Sequence, residues 1–268
     1  MNRAKRDPPQ PGGILAEIVE HKRAEVVARR RLRPLAEVRR TAEAAPIPRG
    51  FAKAIKTRNP AVIAEIKRAS PSEGVIRADF DPAKVATSYE RAGAACLSVL
   101  TDTRYFMGCD GHLEDARNAT KLPALRKDFI VDPYQVYESR ALGADCLLLI
   151  AAALEAGQLG DLARLAGELG LDVLIEVHDR DELDAALDLR PKIVGINNRD
   201  LATFTTNLDT TIDLLGVIPD AVAVVAESGI HSPEDVRRLQ DAGVRAFLVG
   251  TAFMRAPDPG RALERLFG

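Results

Sequence analysis

The sequence predicts an α/β protein folded as a single (β/α)8 barrel of TIM type with an extra N-terminal helical segment. From residue 61 onward, short runs rich in Val, Ile and Leu alternate with longer stretches of helical period, the pattern of βα units on a parallel sheet. Eight such runs are present, and they are nearly continuously apolar rather than alternating, as strands are when helices cover both faces. The length of 268 residues suits one barrel plus an extension, since barrels of this kind reach roughly 250 residues as one unit.

Residues 1–60 read as the extension. Its start, residues 1–11, is charged and proline-rich, with no apolar core for a signal peptide. Ile14, Leu15, Ile18, Val19, Val26, Val27, Leu35 and Val38 then recur at helical spacing and predict helices packed against the barrel. The cations Lys22, Arg23 and those of 29–33 read as a solvated helix face, with a nucleic-acid patch as the alternative. The strands follow at 61–67, 96–101, 124–127, 146–150, 173–177, 193–197, 223–227 and 246–250. Glycine closes the helical stretch before four of them, at 93, 143, 170 and 243. Asp132-Pro133, Ser232-Pro233 and Asp258-Pro259 each pair a capping side chain with a proline in the first helical turn. Residues 1–268 are therefore expected to form one domain, with 61–268 as the barrel.

Composition narrows the function classes. With 46% hydrophobic and 28% charged residues the chain can bury a sizeable core. A formal net charge of −2 gives no global field for nucleic acid or an anionic membrane, so any anion is caught locally. Cys96, Cys109 and Cys146 are too few and too scattered for a disulfide framework or a zinc site and fit a reducing cytoplasm. No run of ~18 apolar residues offers a membrane span. His21, His112, His178 and His231 show no ligand spacing and read as surface or turn residues, so no metal site is expected. Dinucleotide, P-loop and serine-hydrolase motifs are missing.

In a barrel of this type the active site is built at the carboxyl ends of the strands. Glu65 and Lys67 close the first run, Lys127 the third, Glu176 the fifth, Asn197 the sixth, and Glu227 with Ser228 the seventh. Glu65 and Lys67 stand two apart and face one side. Alternate strands supply one interior layer, so two lysines and three glutamates converge on a small volume. Opposite charges clustered in a cleft are expected to move each other's pKa toward values useful for proton transfer. The loops after the seventh and eighth runs set Ser228 beside Gly229 and Gly250 beside Thr251, the usual phosphate site of such barrels.

These residues resemble a family. The stretches IAEIKRASPSEG (63–74), LRKDF (125–129), LIEVH (174–178), GINNRDL (195–201), AESGI (226–230) and LVGTAFMR (248–255) are similar, in order, to motifs of indole-3-glycerol-phosphate synthases. The resemblance implies a cofactor-free carboxy-lyase of tryptophan biosynthesis acting on a small phosphorylated substrate, with other enzymes of that pathway as candidate partners. By the same resemblance Lys127 is the general acid of ring closure and Glu176 stabilises the cationic ring, while Glu65 and Lys67 serve dehydration. Asn197, Arg199 and Glu227 orient the substrate's carboxylate and hydroxyls; Ser228, Gly229, Gly250 and Thr251 hold its phosphate. Phe106, Phe129 and Leu201 form a slot for the aromatic ring, and Ser70 and Pro71 lie in a loop that closes over it. Two other readings are a phosphoribosyl isomerase on the same barrel, which wants a Cys/Asp or Asp/Asp pair, and a catalytically silent phosphate-binding subunit.

Overall fold

The structure, a computed structural model, describes residues 13–200 and 203–268; the proline-rich start and Leu201 lie outside the described residues. Among the described residues three helices precede the barrel, α1 (Ile14–Leu32), α2 (Leu35–Ala44) and α3 (Phe51–Lys56). The strands β1 (Ala61–Ile66), β2 (Cys96–Leu100), β3 (Ala124–Lys127), β4 (Cys146–Ile150), β5 (Asp172–Val177), β6 (Ile193–Asn197), β7 (Ala223–Glu227) and β8 (Ala246–Val249) pair in parallel in sequence order, and β8 closes back onto β1. The predicted strand bounds hold to within one residue. One longer helix follows each strand: α4 (Pro82–Arg91), α5 (Asp110–Ala119), α6 (Pro133–Ala141), α7 (Ala156–Glu168), α8 (Arg180–Leu187), α9 (Asp209–Leu215), α10 (Pro233–Asp241) and α11 (Pro259–Phe267).

The physical reason for unbroken apolar runs is visible in burial. Every residue of β2, β4 and β8 is buried, inward side chains filling the barrel and outward ones packing under helices. Caps start the helices where expected. Asp132 accepts from the backbone N–H of Tyr134 at 2.7 Å, and Ser232 forms a reciprocal capping box with Asp235. Asp81 before Pro82 caps α4 in the same way.

The extension runs from one end of the barrel to the other. At the floor, buried Phe51 opens α3, the N–H of Ala52 donates to Asp172 at the start of β5, and the N–H of Arg49 donates to Asp145 just before β4. At the mouth, Ile14, Leu15 and Ile18 of α1 face the strand ends. Val27, expected in the apolar stripe, is instead 52% exposed.

The solvated-face reading of the α1 cations is overturned for two of them. Lys22 is only 1% exposed, with its ammonium 2.8 Å from Glu25, 2.9 Å from Asp102 and 2.9 Å from Asp128. Arg29 reaches Asp110 at 2.6 Å and Glu138 at 2.8 Å, and these two carboxylates also receive buried Arg126 of β3. Burial alone would raise the Asp128 carboxyl, but Lys22 and Arg126 hold it down to about 2. Distant acids, invisible to helical periodicity, turned part of an outer face into an inner one. Because Asp128 adjoins Lys127, this network anchors the strand end that carries the central lysine.

Lys22→Met strands two buried carboxylates without their ammonium. The expected outcome is a loss of about 3–5 kcal/mol in unfolding free energy, read as a lower urea midpoint.

Candidate active site

Interior positions at the strand ends divide by parity. The odd strands present Glu65, Lys127, Glu176 and Glu227, with Lys67 just beyond β1; the even strands present Leu100, Ile150, Asn197 and Leu248 to the same cleft. Because odd and even strands alternate around the closed barrel, these charged and apolar positions interleave about the mouth.

Lys127 is the hub of the charged set. Its ammonium lies 3.1 Å from Glu176 Oε2 and 3.4 Å from Glu227 Oε2, while Lys67 pairs with Glu65 at 2.7 Å. Burial pushes against an ammonium, yet Glu176, Glu227 and Glu65 together hold Lys127 well above the ordinary lysine range. Glu176 is also disfavoured as an anion by burial, but Lys127, His178 and the Asn197 amide, which donates to Oε1 at 3.1 Å, bring it down to about 2. Glu227 goes the other way. Burial raises it, Lys127 only partly compensates, and the neighbouring Glu176 and Glu65 charges add to leave it at about 8. Its Oε1 is buried and makes no hydrogen bond to any described residue. The expected move toward values useful for proton transfer is seen in Glu227, whereas Lys127 and Glu176 lock each other in their charged forms.

Two glycines make room for this. A Cβ on Gly195 of β6 would stand 2.1 Å from Glu227 Oε1 and 2.6 Å from Leu174 Cδ2. One on Gly250 would stand 2.1 Å from Glu65 Oε1. Gly250, expected only as a phosphate-loop residue, thus also provides the space in which the Glu65 carboxylate lies.

The remaining expected residues gather around this centre. Ser228, Gly229, Gly250 and Thr251 border the cleft at the ends of β7 and β8. Ser228 has a left-handed backbone, φ +62°, unusual for a residue with a Cβ. The amide of Asn198, 2% exposed, holds it by donating to the Ser228 carbonyl at 3.2 Å, while its own oxygen accepts from the Thr211 N–H and hydroxyl. Phe106 and Phe129 line the cleft with their rings 6.1 Å apart and tilted by 38°. Arg199 lines the cleft beyond β6, its N–H donating to Asn197 Oδ1 at 3.1 Å. Ser70 and Pro71 lie in a small hairpin, Ala69–Ser70 with Gly74–Val75, whose Glu73 pairs with Arg255 at 3.0 Å. Leu201 lies outside the described residues.

Three contributors escaped the sequence reading. Nothing local says that α1 covers the mouth. Asn198 stood within the GINNRDL stretch, but only its contacts distinguish it from Asn197. His178 is the clearest correction: it is not a free turn residue, because Nδ1 lies 3.0 Å from Glu182 and Nε2 3.4 Å from Glu176. The spacing from His178 to Glu182 across a helix start was the available signal.

Gly195→Ala is expected to displace the Glu227 carboxylate and to cost about 1–3 kcal/mol by overpacking, checked by thermal denaturation. Glu227 supplies a pH test. Its folded value of about 8 lies above the ordinary 4.5, so the folded chain keeps a proton that the unfolded chain releases. That contribution is complete below about 4.5 and is lost as pH rises through about 8. Unfolding free energies of wild type and Glu227→Gln at about pH 6 and about pH 9 should diverge, the wild type losing more on the alkaline side; parallel slopes would reject the assignment.

Comparison with known proteins extends these observations. The family model described as Indole-3-glycerol phosphate synthase matches residues 15–266. The chain is similar to the Indole-3-glycerol phosphate synthase of Bordetella pertussis, 57% identical over 94% of this chain and 98% of the relative. It is also similar to that of Aromatoleum aromaticum, 56% identical over 95% of this chain and 99% of the relative. Among solved structures, the N-acetylmannosamine-6-phosphate 2-epimerase from Clostridium perfringens aligns with a TM-score of 0.61 at 14% identity, covering 76% of this chain and 91% of its own, a likeness of fold alone. With the family match running through every strand of the barrel and the extension before it, the chain belongs to the indole-3-glycerol phosphate synthase family.

Proposed function

We propose that this chain converts 1-(2-carboxyphenylamino)-1-deoxy-D-ribulose 5-phosphate into indole-3-glycerol phosphate, carbon dioxide and water through acid–base work by Lys127, Glu176, Lys67 and Glu65. As a family member it is a carboxy-lyase of tryptophan biosynthesis acting on a small phosphorylated substrate. The observation that carries the division of roles is Lys127, held as an ammonium between Glu176 and Glu227 at the mouth of the barrel.

In ring closure an aromatic carbon attacks the sugar ketone, and the ketone oxygen takes a proton as it becomes an alcohol. Lys127 is the donor. A strongly held ammonium still delivers here, because the acceptor is a developing alkoxide, far more basic than an amine. The attack leaves a cationic, dearomatised ring until carbon dioxide departs. Glu176, kept anionic, stabilises that charge more than the neutral ground state. Dehydration then takes a proton from carbon and gives one to the leaving hydroxyl; Glu65 and Lys67, paired on one strand end, supply one base and one acid.

Positioning follows from the surroundings. Glu227, which keeps its proton at neutral pH, orients the substrate's carboxylate and hydroxyls together with Asn197 and Arg199. Ser228, Gly229, Gly250 and Thr251 receive the phosphate, and Phe106 and Phe129, with Leu201, flank the aromatic ring. The Ser70–Pro71 loop covers the site during proton transfer. Every step uses side chains as acids, bases or fixed charges, so the reading calls for no cofactor, metal or nucleic acid. Its setting is the cytoplasm, beside other tryptophan-pathway enzymes. Among the described residues no helix is long and apolar enough to cross a membrane.

Purified protein should release the indole product from the anilino-ribulose phosphate, and Lys127→Ala should lower kcat by about 10²–10⁴-fold. Absence of product from wild type would reject the reaction; an unchanged kcat in the variant would reject the role of Lys127. Conversion of phosphoribosyl anthranilate without ring closure would favour the isomerase reading.

A further inference from the structure

One largely buried titratable group next to the site has no part in the chemistry above. His178 follows the end of β5, two residues after Glu176, and does not border the cleft. Its backbone N–H donates to Glu182 Oε2 at 2.8 Å, and its Nδ1 lies 3.0 Å from that same oxygen. Glu182 is itself fixed at the start of α8, where its N–H donates to the capping Asp179 at 2.8 Å. A ring held this way cannot swing freely. Its other nitrogen, Nε2, is buried and directed at Glu176 Oε1 at 3.4 Å, ion-pair distance rather than a well-aligned hydrogen bond, and makes no hydrogen bond to any described residue.

We infer that His178 is a positioning residue for Glu176: its ring, anchored at Nδ1 by Glu182, presents Nε2–H to the Oε1 edge of the reacting carboxylate. This rests on the role given to Glu176 above. Glu176 has two edges to control. Oε2 faces Lys127, and Oε1 receives the Asn197 amide from one side and His178 from the other. Lys127 is expected to give up its proton during ring closure, and at that moment Glu176 loses its principal cation. His178 does not take part in that transfer, so it continues to hold the carboxylate anionic and in place while the ring carries positive charge. The acids facing the imidazole are Glu182, Glu176 and Glu227, with Lys127 beyond Glu176. Burial opposes a charged ring, but Glu182 and Glu176 more than offset it and raise His178 from its ordinary value. Carboxylates at both nitrogens favour the form with a proton on each.

The test separates positioning from structure. His178→Leu keeps bulk and removes both N–H groups; His178→Gln retains an amide donor. The leucine variant should lose about 10- to 100-fold in kcat, the range for a hydrogen bond to a charged group, with KM within about twofold, and the glutamine variant should recover most of the rate. In ¹⁵N-histidine-labelled wild type, both nitrogens of His178 should carry protons at neutral pH, and Glu176→Gln should remove the Nε2 signature. A leucine variant with wild-type kcat, or a singly protonated His178 indifferent to Glu176→Gln, would overturn the proposal. Those results beside an inactive Glu176→Gln reject the positioning role alone; wild-type turnover in Glu176→Gln rejects the role of Glu176 itself.

Discussion

The ammonium of Lys127 between the carboxylates of Glu176 and Glu227 is the interaction on which the mouth of the barrel depends. Three buried glutamates on alternate strands repel one another, and a barrel interior offers little water to screen them. Lys127 supports one of the three fully. Glu65 has its own partner in Lys67. Glu227 is left with the weaker share of a shared cation, and burial keeps it protonated instead. One lysine thus creates two different acids from chemically identical side chains, one locked as an anion and one left able to donate. Such a separation marks acid–base sites.

Backbone and distant packing make that arrangement stable. Gly195 and Gly250 leave the volumes that the Glu227 and Glu65 carboxylates occupy, so the positions of the charges are decided as much by missing side chains as by present ones. Behind Lys127, Asp128 is tied through Lys22 to the first helix and through Arg126 to Asp110 and Glu138. The extension is therefore part of the support of the site.

What could be read from the sequence follows from range. The strands were legible because burial on two faces writes itself locally into each run of Val, Ile and Leu. The charged layer was legible because strand ends and the alternation of side chains are properties of one strand at a time. The burial of Lys22 was not, since its partners Asp102 and Asp128 lie on separate loops that only the closed barrel brings together. The second role of Gly250 was hidden for the same reason, Glu65 being far away in sequence and adjacent only across the β8–β1 closure. His178 was legible in part: the helix-start spacing to Glu182 was present, but the contact with Glu176 depends on how the chain turns after β5.

The placement of the rim residues has a consequence for how a molecule enters. Phe106 and Phe129 follow β2 and β3, whereas Ser228, Gly229, Gly250 and Thr251 follow β7 and β8, beyond β1 in the closed strand order. A substrate with a flat apolar ring at one end and a phosphorylated chain at the other meets matching polarity in one orientation only. Reversed, it would strip water from its phosphate against the phenylalanines, a penalty of desolvation rather than of shape. The rim thus sorts the two ends of its guest by solvation, before any single hydrogen bond has formed.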